Sequence, residues 1–584
     1  MSDVDLLPHP RILPMLGEIN LDQWRCLAEL VDNSIDAFLT AKRAGSPIKN
    51  PEVHVTLPST DHPAAKITVR DNGPGMDQET LANAVRAGWT GNDPVNNLGM
   101  FGMGFNIATA RLGTQTHVWT TRDGDREWYG LEIDFEKLVQ QKHFRTPGLS
   151  RPKADPHEQG TEVIIERLKP EQRGWFAKAA NRTKITKAFG RVYSAMLRSN
   201  GVPIHFRLSI NGPLVTLRDL CIWGGEGGQP RLTQTSRHGV VDAYQQFSVR
   251  LDERLFCNKC WQWLGAKENE CPACRSSKDV ISRHRRVHGW LGIQRYLHNS
   301  DYGLDLLRHG RKIEIAQKEL FFWNNDGTNE PEYPIDDPRN RGRIVGEIHL
   351  DHCRVTYTKD RFDRSDPAWE EMVRIVRGDG PLRPDIAAQL AFGQNNTPLF
   401  LLFQAFRRSS PKPKVAGCYA RLLLVPDNER AEEMAKHFYA SEAEYQPDTK
   451  WWELVEDADR QLLGPSPARA GDDAGDLAGF SPNEQPNREG EERAEANQPS
   501  SSPAPSRIIL PSLNREYRND ETSLRWKVTA YQVNPSDPEL GDESKPWVLK
   551  KTASGDDMFY VNAEHMVFHS ATMTPLDALL AELA

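Results

Sequence analysis

Cysteine is scarce in this chain: eight in 584 residues, too few to staple a fold of this length with disulfides. Four of the eight stand as two CxxC pairs at 257, 260, 271 and 274, which points to a metal in a reducing compartment, the cytoplasm. Long apolar runs are missing too. No stretch reaches the roughly eighteen apolar residues that a spanning helix needs, which removes membrane-embedded classes. Met1 to Pro10 carries two aspartates and no cationic stretch leading into an apolar core, so no secretory signal is expected. Positive charge is not in excess either. Lys and Arg number 73 against 81 Asp and Glu, a formal net of -8, so the chain as a whole is not a basic coat for nucleic acid. Local basic patches depend on placement rather than on the sum. There is no visible Ser-His-Asp order or nucleophile elbow, and His349 and His352 lack the carboxylate spacing of a zinc protease.

What is present divides the chain into segments, and at roughly 150 residues per domain the length allows about four units. Between Leu21 and Thr40, Trp24, Leu27, Leu30, Val31, Ile35 and Phe38 recur at helical spacing and predict an amphipathic helix. EVHVTLP and AAKITVRDNG alternate as half-buried strands do, the second ending in a Gly-rich turn, DNGPGM. Residues 78 to 89 read as a helix, and NNLGMFGMGFNIATARLG opens with glycines and closes as an apolar helix. THVWTTRD, REWYGLEIDF and GTEVIIERL follow as strands, with Gly and Pro breaking the stretch between the last two. This order predicts an α/β protein whose first domain, residues 10–170, is a two-layer sandwich.

A long helical segment, 171–199, then leads into the strand pair VPIHFRLSI and LVTLRD around an Asn211-Gly212 turn. With the later strands FSVRL and GRIVGEIHLDHCRVTYTK, it predicts a second α/β domain over 171–380, interrupted at about 253–280 by the cysteine cluster. Helical patterns with charged faces fill 381–463. Residues 464–506 have scarcely an aromatic or β-branched side chain and read as a disordered linker, because such a segment cannot offset the entropy of ordering it. A small α+β unit over 507–584 closes the chain, with RWKVTAYQV, KPWVLKK and DMFYVN as strands and PLDALLAELA as a helix.

Three features of the first domain carry chemistry. Glu29, Asn33 and Asp36 are spaced by four and three on the first helix and emerge on one face. A carboxylate four residues from an amide suits the holding of a water beside a hydrated Mg²⁺, and a solvated acidic face is the alternative. Asp71 to Met76 follows a strand, where Gly73 and Gly75 permit a tight turn and close approach to a ligand. Gly99 to Phe105 precedes a helix, and exposed amides at a helix N-terminus are what phosphates bind.

These residues resemble the GHKL ATPases, the superfamily of gyrase B, Hsp90, MutL and histidine kinases. ELVDNSIDA is similar to the first box of the family, DNGPGM to the second, GMFGMGFN to the third and GTEVII to the strand that closes the pocket. The resemblance implies a Bergerat-type sandwich binding ATP, with Glu29 as general base and Asn33 as Mg²⁺ ligand beside Asp36. It implies Asp71 as acceptor of the adenine amino group, supported by Thr161, and Gly73, Gly75 and Met76 as the adenine pocket. Gly99, Phe101, Gly102, Met103, Gly104 and Phe105 would form the lid over the phosphates. Within the superfamily the chain resembles MORC-type proteins and their prokaryotic relatives, through DNSIDAF, GMFGMGFN and YTKDRFDRSDPAWEEM. This implies a transducer-like second domain of S5 type whose Lys359 reaches the γ-phosphate, a surface lysine after a strand being the alternative. No phosphoacceptor helix precedes Glu29 and no DQHA motif is visible, so neither phosphotransfer to histidine nor DNA cutting by the MutL route is expected.

Cys257, Cys260, Cys271 and Cys274 make two knuckles separated by ten residues, the sulfur set that a structural Zn²⁺ favours, with an iron-sulfur cluster or two redox pairs as alternatives. Trp261 and Trp263 lie in the intervening loop, and Arg275, Lys278, Arg283, Arg285 and Arg286 follow. This patch would suit a phosphate backbone, a protein partner or solvent. The other cysteines, Cys26, Cys221, Cys353 and Cys418, read as small buried apolar residues. Taken with the resemblance, the expectation is an ATP-gated homodimeric clamp requiring ATP, Mg²⁺ and Zn²⁺, acting on DNA in repair or anti-phage defence beside a helicase or nuclease. An Hsp90-like chaperone and a zinc-containing ATP-binding scaffold are the alternatives.

Overall fold

The first long helix, α1 (Gln23–Arg43), buries Leu27, Leu30, Val31, Ile35 and Phe38, the positions whose spacing predicts it. Each such side chain contributes roughly 1.5–3 kcal/mol when fully buried. Glu29, Asp32 and Asp36 on the same helix are buried as well, whereas Asn33 is exposed. The computed structural model describes residues 9–463 except 90, 92, 94, 236–237, 266–267, 326–327, 336, 338 and 408–416. It further describes 507–583 except 511–512, 519–524, 534–536, 541–544, 552–555, 563–564 and 566–574. The expected linker, 464–506, lies outside the described residues. The chain divides into two compact units, Met1–Ala470 and Gly471–Ala584, of mixed α/β type.

The first sheet of the larger unit has seven strands: β1 (Glu52–Thr56), β2 (Ile67–Asp71), β3 (Gly113–Thr121), β4 (Glu127–Asp134), β5 (Gly148–Pro152), β6 (Gly160–Leu168) and β7 (Arg207–Ile210). Their order is β5-β4-β3-β6-β2-β1-β7. α1 and a second helix, α2 (Gly104–Leu112), pack on it through a core that joins Leu27 and Phe38 to Val53, Ile67, Ala108 and Ile165.

Three details depart from the sequence reading. The sandwich does not stop at residue 170. β7 comes from the hairpin expected to open the second domain, and it pairs in parallel with β1, covering backbone groups that would otherwise form an open sheet edge. The long helix expected over 171–199 is three helices, Pro170–Ala177, Ala179–Val192 and Ser194–Leu197, broken where Lys178 is extended, and Phe176, Phe189 and Tyr193 belong to the first core. β5 forms in the stretch read as broken by Gly and Pro, because Pro152 stands on an edge strand that needs no donor on its outer side.

The second sheet contains β8 (Tyr244–Cys257), β9 (Val280–His298), β10 (Gly303–Arg308), β11 (Arg311–Gln317) and β12 (Gly342–His349), in the order β8-β9-β12-β10-β11, with Gln262–Trp263 added outside β8. β8 and β9 pair from Tyr244 opposite Gly292 to Cys257 opposite Val280, so the cysteine knuckles cap a long two-stranded arm. The region 381–463, expected as a separate helical segment, shares one core with this sheet: Leu399, Phe403, Trp451 and Val455 pack with Val287, Leu291, Ile344 and Ile348. Met100, from the glycine-rich loop of the first sheet, is part of that same core.

In the smaller unit, Arg525–Gln532 pairs with Asp556–Val561 in parallel, and Trp547–Lys551 adds to the latter antiparallel. Ile508–Ile509 and Arg515–Arg518 both pair with Arg525–Gln532. Ala578 and Leu579 of the helix Pro575–Leu583 share a core with Val528, Ala530, Phe559 and Val561. Among the described residues no helix is long and apolar enough to cross a membrane.

Candidate nucleotide site

A cavity of about 460 Å³ opens between α1, the end of β2, the loop 99–105 and a turn from the second domain. At one end Asp71 closes β2. Its Oδ1 accepts from the amides of Gly73 at 2.8 Å and Thr161 at 3.2 Å, and its Oδ2 from the Ser34 hydroxyl at 2.8 Å. Burial pushes this carboxyl above its ordinary value against the pull of those donors, the Gly73 amide foremost. Val69, Met76 and Val163 give this end an apolar lining. The Met76 amide donates to Thr120 Oγ1 at 2.8 Å, and that oxygen lies 3.3 Å from Thr161 Oγ1. Gly75 has φ +68° and sits so close to the Thr121 carbonyl that no Cβ fits. Gly73 acts through its amide on Asp71 and does not line the cavity.

At the other end the glycine loop turns into α2. Asp36 accepts from the amides of Leu98 and Gly99, each at 2.7 Å, and burial raises it to about 6 despite these bonds. Its carboxylate therefore positions the loop and also lines the cavity. Gly99, Phe101, Gly102, Met103, Gly104 and Phe105 all line the cavity, and Asn33 is an exposed side chain within it. A Cβ on Gly104 would meet Glu29 Oε2, so the start of α2 lies directly against the end of that carboxylate.

Glu29 meets a residue from far along the chain. A tight turn, closed by Thr356 N–H donating to the Arg361 carbonyl at 2.9 Å, carries Lys359 into the cavity with a left-handed φ of +48°. Lys359 Nζ lies 2.9 Å from Glu29 Oε2 and 3.2 Å from Asp32 Oδ2, and the residue is 4% exposed. Burial alone would lower this amine's pKa; the two carboxylates outweigh burial and hold it above its ordinary value.

The sequence reading did not single out Asp32. It also holds Arg311 as an ion pair, Nε to Oδ2 at 3.0 Å, and accepts from the Tyr193 hydroxyl at 2.9 Å. Its spacing of three from Glu29 was an available signal, and the cavity-lining Tyr357 opens the YTKDRF motif, whereas Arg311 and Tyr193 had none. Tyr357 meets the loop residue Phe101 edge-on at 6.2 Å.

The segment leading into the glycine loop is tied at several points. Arg43 donates to the Asn96 carbonyl and to Asn97 Oδ1, both at 2.7 Å. His309 Nε2 is 2.7 Å from the Val95 carbonyl, and Arg283 donates to Asp93 Oδ2 at 2.7 Å and Asn258 Oδ1 at 2.8 Å. Arg283 and Arg285 were expected on a free basic surface. They are instead turned inward, Arg285 donating to Glu371 at 2.6 Å and to the Asp252 carbonyl at 3.0 Å. Arg286 is exposed and donates to Ser248 at 2.9 Å.

At the tip of the arm the Sγ atoms of Cys257, Cys260, Cys271 and Cys274 lie within 4.8 Å of one another. Cys257 and Cys274 are 3.7 Å apart, close to the edge of about 3.8 Å expected for a sulfur tetrahedron with bonds of about 2.3 Å to zinc. The Cys260 amide donates to Cys257 Sγ at 3.4 Å, the arrangement of a metal knuckle. Cys26, Cys221, Cys353 and Cys418 are buried, as their reading as small apolar residues expects.

Residues 21–161 match the family described as histidine kinase-, DNA gyrase B-, and HSP90-like ATPase. Protein MICRORCHIDIA 1 of Arabidopsis thaliana is 26% identical over 130 residues, 21% of this chain and 19% of the relative. Protein MICRORCHIDIA 5 of the same plant is 28% identical over 128 residues, 21% of this chain and 17% of the relative. The matched stretch thus spans about a fifth of each. The N-terminal region is similar to ATPases of this type, a similarity that supports ATP binding.

Proposed function

We propose that this chain is a Mg²⁺-dependent ATPase working as an ATP-gated clamp, and the observation that carries the reading is Lys359 at 2.9 Å from Glu29 across two sheets. Adenine would lie at the apolar end, its exocyclic amine donating to Asp71, whose remaining acceptor capacity faces the cavity. Asn33, with an amide oxygen in the cavity one helical turn from Glu29, fits a hard cation that prefers oxygen donors. When bound, that Mg²⁺ would neutralise phosphate charge. The loop amides and the start of α2 would receive the phosphates. Glu29 would take the proton of the attacking water, and Lys359 would offer its ammonium to the γ-phosphate.

Such a site senses the triphosphate with two domains at once, because the base is on α1 and the cation beyond β12. Closure of the loop around ATP would therefore be felt by the second sheet, the property a clamp requires. Two chains closing together, and a DNA-associated role, are parts of the proposal that rest on the family resemblance. The inward turn of Arg283 and Arg285 directs a search for DNA contacts to exposed residues such as Arg286, Lys184 and Lys187. The four cysteines fit a structural Zn²⁺, with every ligand supplied by thiolate and no position left open for catalysis. Phosphate release with and without DNA, together with oligomeric state in ATP and ADP, tests the proposal. Turnover with ATP-dependent dimerisation supports it; ATP binding without phosphate release would leave a scaffold.

A further inference from the structure

Asp32 is fully buried and does not line the nucleotide cavity, yet a hydroxyl donor and two cations from three separate parts of the chain converge on it. Tyr193 donates to Oδ1 at 2.9 Å, while Arg311 at 3.0 Å and Lys359 at 3.2 Å share Oδ2. We propose that Asp32 is the positioning residue for Lys359: fixed from behind by Tyr193 and Arg311, its carboxylate holds the ammonium at the cavity wall and keeps it from settling entirely on Glu29. The inference rests on the reading of this cavity as an ATPase site.

A lysine ammonium is a point charge on a flexible four-carbon stem, so its position is set by its counter-charges. Here Glu29 and Asp32 balance Lys359 and Arg311, two against two, in a place where an unpaired charge is costly. With Asp32 neutral, Glu29 would be the carboxylate left to compensate the lysine. A general base bound tightly to an ammonium is a poorer acceptor of a water proton, and a lysine drawn onto it is displaced from the phosphate. Asp32 therefore acts on turnover through Lys359, and leaves the Asp71 end untouched.

The charged and titratable groups facing the ammonium are Glu29, Asp32, Asp36 and Arg25 from α1, Arg311 from β11, Tyr193 behind Asp32, and Tyr357 and Asp360 on its own turn. Removing the charge of Asp32 takes away one of the two carboxylates that hold the lysine protonated. The basic limb of kcat against pH then moves to lower pH.

The experiment uses the full chain and compares Asp32→Asn, Tyr193→Phe, Lys359→Ala and the Asp32→Asn/Lys359→Ala double variant, by phosphate release across pH and by ADP titration. Asp32→Asn should lower kcat about tenfold or more with ADP affinity held within about twofold, as for a misplaced catalytic group. Tyr193→Phe keeps all four charges and loosens only the hold on Oδ1, so kcat should fall about two- to fivefold with the basic limb unmoved. The double variant should be no slower than Lys359→Ala alone, because Asp32 has no other route to the reaction. Full additivity in the double variant, wild-type kcat in both Asp32→Asn and Tyr193→Phe, or an unmoved basic limb in Asp32→Asn overturns the inference. Should Asp32→Asn not fold, Tyr193→Phe decides by its fall in kcat at unchanged ADP affinity, wild-type kcat overturning the inference. A wild-type chain that binds ATP and releases no phosphate overturns the ATPase reading and this inference together, whereas a wild-type-like Asp32→Asn in an active chain overturns only the inference.

Discussion

The two ends of the cavity are built from different material. At the apolar end Asp71 is held by neutral donors, Ser34, Gly73 and Thr161, all from α1 and the first sheet. At the other end Glu29 and Asp32 are held by cations, Arg311 and Lys359, that arrive from the second sheet and the turn after it. The first arrangement is complete within one domain; the second exists only while two domains are docked. Recognition of the base and turnover of the phosphate should therefore separate on mutation.

Glu29→Ala gives the widest separation. Loss of a positioned general base lowers turnover by about 10² to 10⁴, and calorimetry should find ATP still bound, because Asp71 and the glycine loop are intact. Near-normal phosphate release by this variant would collapse the distinction between the ends. Asp71→Ala attacks the other side: losing one charged hydrogen-bond acceptor should weaken nucleotide binding by about 1.5–3 kcal/mol, some ten- to a hundredfold, with or without Mg²⁺. If titrations showed a weakening only when Mg²⁺ is present, the two ends would have been assigned the wrong way round.

A paired Cys271→Ser and Cys274→Ser replacement tests a third place, the tip of the arm. Elemental analysis should find one Zn²⁺ per wild-type chain and none in the variant, with chelator and acid releasing metal and local fold together. Nucleotide affinity should persist, since both ends of the cavity lie elsewhere. The smallest effect belongs to Asp36, whose folded pKa of about 6 stands above its ordinary 3.8. The native state then holds a proton that the unfolded chain has lost, so the stability linked to it is full below about 4 and falls as pH rises through about 6. Asp36→Asn should flatten this slope in denaturation midpoints taken at several pH values; a slope unchanged from wild type would place the titrating group elsewhere.

What could be read in advance follows from range. ELVDNSIDA, DNGPGM and GMFGMGF each act within a few residues, and all three surround one cavity. The cysteine spacing is equally local, and its four sulfurs converge. By contrast, β7 is recruited by the open edge of β1, and the length of β8 and β9 comes from their pairing with each other, for which no short pattern exists. Arg283 and Arg285 mislead because a run of basic residues does not reveal that Asp93 and Glu371 will neutralise them. Asp36 stands on the expected face and lines the cavity, but its two bonds to the amides of Leu98 and Gly99, which fix the loop, have no counterpart in residue spacing.

The left-handed backbone at Lys359 has a mechanical consequence. A side chain with a Cβ is held there at a cost on the order of 1–2 kcal/mol, and the ion pairs to Glu29 and Asp32 act beside the turn's own backbone hydrogen bonds to keep it in place. The turn is thus a cocked latch, and the ammonium is its catch. Alanine at this position removes the catch while retaining the strain, so the turn is free to relax and the docking of the two sheets changes with it. Glycine, at ease with that φ, removes the charge and leaves the latch set. Whatever differs between those two replacements measures the stored strain, and whatever they share measures the charge.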